Sequence, residues 1–116
     1  MTLEAYCRFC LSLPYTTEAF PFDQNTLVFK VGGKIFALLD LDNFDSVNLK
    51  CDPEEALELR ESYTAISGGY HMNKKHWNTI QINLDVDDKL LLQLTEKSYK
   101  LVFNSLPKKV INELAL

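Results

Sequence analysis

The chain has 116 residues, 47% of them hydrophobic and 24% charged, with a formal net charge of −4 at pH 7. That is the size and balance of one domain, residues 1–116, built on a single core. It excludes a membrane-spanning helix, since no apolar run nears the roughly 18 residues a span needs, and it excludes a generally basic nucleic-acid binder.

The elements follow in chain order. From Thr2 to about Ser12, Leu3, Tyr6, Cys7, Cys10 and Leu11 fall on one stripe of a helix, with Thr2 as N-cap and Pro14 as stop. Residues 15–25 form a connector with a short extended piece around Ala19–Phe22. The period then drops to two. Leu27, Phe29 and Val31 share one face of a strand over Thr26–Val31, and Ile35, Ala37, Leu39 and Leu41 share one over Lys34–Leu41. Gly32-Gly33 between them suits a two-residue hairpin turn with positive φ angles. Ser46–Lys50 is a third strand with Val47 and Leu49 inward. Asp52-Pro53-Glu54-Glu55 opens a helix reaching about Tyr63, with a capping Asp, Pro at the first position and acids at the positive end. Short Ala65–Ser67 and longer Asn78–Leu84 complete the strands, the latter with Ile80, Ile82 and Leu84 inward. A long helix starts at Asp87 or Asp88 and stops at Leu106-Pro107. The tail after Lys108 allows another helical turn or two.

The pattern predicts an α+β fold of order α-β-β-β-α-β-β-α. It is a two-layer packing, a mainly antiparallel five-stranded sheet with helices on one face. The other sheet face would carry Val28, Lys30, Phe36, Leu38, Asn48, Lys50, Gln81 and Asn83. That mix is less polar than a fully solvated face, so a covering element, a dimer contact or a ligand surface stands beside plain incomplete polarity.

Few motifs carry chemistry. Cys7-Arg8-Phe9-Cys10 spells C-x-x-C, yet both thiols sit on the apolar stripe of a helix that no strand precedes. They read as core thiols rather than a redox pair. The 3 cysteines cannot all pair internally, and Met1-Thr2-Leu3-Glu4 has no basic start leading to an apolar run. A reducing, cytoplasmic setting is expected. Asp40, Asp42 and Asp45 lack the central Gly and terminal Glu of a calcium loop and read as a solvated turn. His71 and His76, the 2 histidines, are five apart with no flanking carboxylate. No nucleophile–base pair, phosphate loop or metal set is recognisable, so no enzyme activity, metal or cofactor is expected.

The segment Gly69–Trp77 stands out. It has no acid and interleaves cations with aromatics and amides. In a nucleic-acid contact, Lys74 and Lys75 would meet phosphate, His71 and Asn73 would hydrogen-bond, and Tyr70 or Trp77 would stack, with His76 nearby. Lys108 and Lys109 would add charge. In an architectural reading, Tyr70 and Trp77 pack the loop down, Asn73 satisfies a turn and the lysines are merely solvated. Charge asymmetry bears on the choice: residues 1–58 carry −6 and residues 59–116 carry +2, so a local basic face is compatible with an acidic whole.

The same residues carry a resemblance. Leu49-Lys50-Cys51-Asp52-Pro53-Glu54, Leu59-Arg60, Gly69 through Thr79, Ser98-Tyr99, Leu101-Val102 and Leu106-Pro107-Lys108-Lys109 resemble the MmcQ/YjbR family over nearly the whole chain. The resemblance implies a fold similar to that of CyaY (frataxin) and of type III secretion chaperones. It also implies a suggested DNA-binding role with a double wing arrangement. Departures at Asp23, Ser67-Gly68-Gly69 and Asp85-Val86-Asp87 concern turns. The expectation is a small DNA-binding domain using the Gly69–Trp77 loop. The alternative is a protein-interaction or chaperone-like module, or a homodimer, using the open sheet face around Phe36 and Leu38.

Overall fold

The computed structural model describes residues 1–70 and 72–115. Helix α1 (Leu3–Ser12) leads into β1 (Thr16–Ala19), β2 (Thr26–Val31), β3 (Lys34–Asp40) and β4 (Ser46–Lys50). Helix α2 (Pro53–Ser62), β5 (Ile66–Gly68), β6 (Trp77–Gln81), α3 (Asp88–Asn104) and α4 (Lys108–Leu114) follow. The strands form one sheet in the order β1-β2-β3-β4-β6-β5, every neighbouring pair antiparallel.

Local chemistry accounts for the helix starts. The Thr2 hydroxyl accepts the Ala5 N–H at 3.1 Å, Asp52 accepts the Glu55 N–H at 3.3 Å, and Asp87 accepts the Leu90 N–H at 2.8 Å. Each satisfies a donor that has no partner inside its helix. Gly32 and Gly33 take φ angles of 59° and 81°, as the tight hairpin requires.

Helix α3 lies across β3 and β4 and buries Leu91, Leu94, Thr95, Ser98, Tyr99 and Val102. Tyr6 of α1 is fully buried and its hydroxyl meets Thr95 Oγ1 at 2.9 Å. Helix α4 packs Val110, Ile111 and Leu114 against the same core.

Three expectations need correction. The sheet has six strands: Thr16–Ala19 pairs with Val28–Val31 and extends the edge. A run of four residues between Pro14 and Pro21 is too short for alternation to reveal. Strand β6 stops at Gln81 rather than Leu84, because Asn83 adopts a left-handed φ of 62° and turns the chain, leaving Leu84 exposed.

Phe36, expected on the outer face, is in the core. Pairing steps from Phe29↔Ala37 to Lys30↔Ile35, so Phe36 is the extra residue of a β-bulge. The bulge turns its ring to the helix layer, where Tyr99 meets it edge-on with centroids 5.3 Å apart. The bulge also interrupts the ladder to β4, and Ser98 of α3 repairs it. Its hydroxyl donates to the Phe36 carbonyl at 2.6 Å and accepts the Lys50 N–H at 2.8 Å.

On the face away from the helices, pairing aligns one residue from each strand: Ala19, Val28, Leu38, Asn48, Thr79 and Ser67. The row passes from apolar to polar. Val28 is fully buried and Leu38 half-buried.

Candidate nucleic-acid interface

The loop joining β5 to β6 is held from behind by α2. Arg60 donates from Nε to Asn78 Oδ1 at 2.7 Å and from its guanidinium to the carbonyls of Lys74 and Trp77. Asn78 is almost fully buried, and its amide reaches the Ala56 carbonyl at 3.4 Å. The loop closes on itself where the Gly69 N–H donates to the Trp77 carbonyl at 2.8 Å. The backbones approach so closely that a Cβ on Gly69 would lie 2.8 Å from that of Trp77.

The expected site residues divide within this frame. Asn73 is part of the architecture. Its side chain accepts the Lys75 N–H at 2.9 Å, and its carbonyl accepts the N–H groups of His76 and Trp77 at 3.2 and 3.0 Å. This is the Asx-turn chemistry that lets Asn nucleate a reversal. Lys74 is partly so: its stem lies against Gly68 and its ammonium reaches the Gly69 carbonyl at 3.3 Å. His76 is half-buried, with its carbonyl accepting the Cys51 N–H at 2.8 Å. Trp77 is half-buried, opposite Lys50 in the β4–β6 ladder. Lys75, Lys108 and Lys109 are exposed. His71 lies outside the described residues.

The antiparallel ladders bring these groups to one end of the sheet. The ends of β2, β4 and β5 and the starts of β3 and β6 all lie there. Lys108 and Lys109 join them, because Leu106 and Val110 pack on Gly32 in the β2–β3 hairpin. Lys30, Lys34 and Lys50 belong to the same end. Period-two alternation assigns Lys30 and Lys50 to the outer face, but the proximity of Lys50 to Trp77 depends on the pairing of β4 with β6, which no local pattern encodes. Glu54 sits beside Lys74 and Lys75, while Glu55 is engaged by Lys97 at 2.7 Å.

The opposite end is acidic. Asp23, Asp40, Asp42 and Asp45 occupy its loops, with Asp85, Asp87 and Asp88 beyond β6. Asp85 also ties two segments together, accepting the N–H groups of Thr64 and Ala65 at 2.6 and 2.7 Å. Desolvation pushes its pKa up, and these backbone N–H groups more than offset it, holding the carboxyl below its usual range.

The thiols do not provide a reactive centre. Burial raises Cys10 to about 12 and Cys51 to about 11, and it raises Cys7 as well, with Glu18 and Glu4 adding to the effect. A nucleophilic cysteine needs the opposite shift. Among the described residues no three His, Cys, Asp or Glu side chains gather as a metal-binding group. No helix of the described residues is long and apolar enough to cross a membrane.

Comparison with known proteins places this geometry. The chain is 40% identical to the uncharacterised protein YbdF of Escherichia coli O157:H7 over 103 residues, covering 88% of this chain and 84% of that one. It is 28% identical over 109 residues to the uncharacterised protein YjbR of Escherichia coli K12, covering 93% and 92%. Among solved structures, Deinococcus radiodurans protein DR2400, a DUF419 domain, superposes with a TM-score of 0.91 at 40% identity, covering 99% of this chain and 88% of that one. A Pseudomonas syringae protein superposes with a TM-score of 0.75 at 26% identity, covering 88% and 99%. None of these names carries an enzymatic activity. The YjbR family model matches residues 11–101, and the chain belongs to the YjbR family.

Proposed function

We propose that the chain is a DNA-binding domain that meets the phosphate backbone with the lysine end of its sheet. The observation that carries this reading is the segregation of charge: Lys30, Lys34, Lys50, Lys74, Lys75, Lys108 and Lys109 share one end, while the acids of the strand-connecting loops sit at the other. The uneven distribution of charge would orient the molecule on DNA despite a net charge of −4, with the acidic end facing away. Trp77, opposite Lys50, offers an aromatic surface beside the cations, suited to a base or sugar at the edge of the contact. The reading differs from a loop-only site. Asn73 and much of Lys74 are committed to building the loop, so Lys75, Lys50 and the α4 lysines contribute most of the charge.

Fluorescence anisotropy with a short duplex, repeated across salt concentrations, tests it. Each phosphate neutralised adds about 0.9 to the negative slope of log K against log salt. Lys74→Ala/Lys75→Ala and Lys108→Ala/Lys109→Ala should each weaken binding and flatten the slope, whereas Lys89→Ala, at the acidic end, should do neither. No binding at low salt, or equal effects from all three variants, sinks the proposal.

A further inference from the structure

The outer face of the sheet holds a groove of about 540 Å³, within the size range of small-molecule sites. Leu38, Asn48 and Thr79 form its floor, from three adjacent strands. Phe22 from the β1–β2 connector forms one wall, and Tyr70 and Met72 from the β5–β6 loop form the other. Asp40 and Asp45 close one end. No lysine, arginine or histidine is among the described residues that line it, although lysines dominate the neighbouring end of the same sheet. The charged side chains among the described lining residues are Asp40 and Asp45.

Its one deeply buried polar side chain is oriented by a relay. The Tyr70 N–H donates to Thr79 Oγ1 at 3.0 Å, so the Thr79 hydroxyl proton is free to donate to Asn48 Oδ1 at 2.6 Å. In this arrangement Asn48 Oδ1 faces Thr79 and the NH2 points away from it. Asn48 is only 8% exposed, and its NH2 makes no hydrogen bond among the described residues. This leaves the NH2 able to donate to an acceptor on a ligand. Asp40 lies two residues along β3 from Leu38, roughly 7 Å on an extended strand.

We propose that this groove binds a small organic cation. An amine or guanidinium would meet Asp40 and Asp45, a carbonyl would accept from the Asn48 NH2, and a flat or apolar body would lie on Leu38 between Phe22 and Tyr70. The aromatic walls add cation–π attraction near the carboxylates. The site is independent of the lysine end, and either can fail without the other.

Nα-benzoyl-argininamide carries all three groups and serves as the probe, with Nα-benzoyl-citrullinamide as its neutral counterpart. The expected result in a ¹⁵N-resolved NMR titration is saturable shifts at Leu38, Asn48 and Thr79, with half-saturation near or below about 1 mM. The citrulline compound should bind at least about tenfold more weakly. Asp40→Asn/Asp45→Asn should weaken the cation to a similar degree, and Lys108→Ala/Lys109→Ala should leave it unchanged. Leu38→Trp fills the floor and should abolish the shifts. If the double Asp variant fails to fold, Asp45→Asn alone serves in its place, since the Asp45 carboxylate makes no hydrogen bond among the described residues. Absence of saturable shifts, equal binding of the neutral compound, or binding that survives both the Asp and the Trp substitutions overturns the proposal.

Discussion

Arg60 and Asn78 are joined at 2.7 Å across the boundary between α2 and β6, and through this contact a helix fixes a loop that it does not adjoin in sequence. The same guanidinium serves the Lys74 and Trp77 carbonyls. Arg60→Ala leaves a buried amide oxygen and these carbonyls without their donor. The expected loss is about 2–3 kcal/mol, read as a lower urea midpoint. Arg60→Lys should recover little, since an ammonium cannot span three acceptors with the same planar geometry. In a double-mutant cycle with Asn78→Ala, the two losses should fall clearly short of additive. Additivity would mean that the pair is not coupled.

Gly69 is required by proximity rather than by an unusual φ. A Cβ there would lie 2.8 Å from Trp77 Cβ and 3.1 Å from the Trp77 carbonyl oxygen. Gly69→Ala should cost about 1–3 kcal/mol. Gly68→Ala meets only the flexible Lys74 stem at 3.3 Å and should cost less. Thermal denaturation of the two variants side by side checks the order, and a reversed order refutes the explanation.

Ser98 carries the repair of the β-bulge. Ser98→Ala leaves the Phe36 carbonyl and the Lys50 N–H facing a methyl group, at a cost of about 1–3 kcal/mol. Hydrogen exchange should accelerate at the Lys50 amide well beyond the change at Val47, which lies within the regular β3–β4 ladder. Uniform acceleration across the sheet would mean that the hydroxyl has no local role.

Stability should fall at both extremes of pH. Asp85 has its pKa lowered in the folded chain, so its contribution is complete above the ordinary value of 3.8 and is lost as pH falls through the lower folded value. Asp85→Asn should remove part of the acid decline in the urea midpoint. Cys10 behaves in the opposite sense. Its thiol is raised to about 12 from 9.0, so the unfolded chain deprotonates first and stability falls as pH rises between those values. Cys10→Ala should flatten that alkaline decline even though it lowers stability overall by opening a cavity.

The same burial predicts thiol reactivity. At pH 8 a disulfide reagent should modify Cys10 and Cys51 slowly in the native protein, and all 3 cysteines promptly after unfolding. A rapid native burst at Cys10 would contradict its environment.

Local features were legible in the chain itself. Asp52-Pro53 announced a helix, Gly32-Gly33 announced a hairpin, and alternation in Leu27–Val31 set the inward face, because each depends on neighbours in the chain. The bulge was hidden, because a period-two pattern continues unbroken through an inserted residue; only the partner strand reveals that Phe36 has turned over. Asn73 was legible as either a contact or a turn residue, and the turn claims it. Arg60 stood in the family signature without a role, since its acceptors lie 14 to 18 residues away. The groove was foreshadowed only as an outer face less polar than solvent would favour. Its walls come from two connectors whose paths alternation does not describe.

The division of charge along the strands has one more consequence. A body with lysines at one end and carboxylates at the other carries a permanent dipole, and each end complements the far end of another copy. Stacked head to tail, such copies would make a heterologous contact that extends into rows or closes into a ring, whereas antiparallel side-by-side pairing would give a two-fold dimer. Screening shortens the reach of the attraction to about 10 Å at 0.1 M salt. The apparent molar mass from light scattering at low ionic strength should rise with protein concentration and fall back as salt is added.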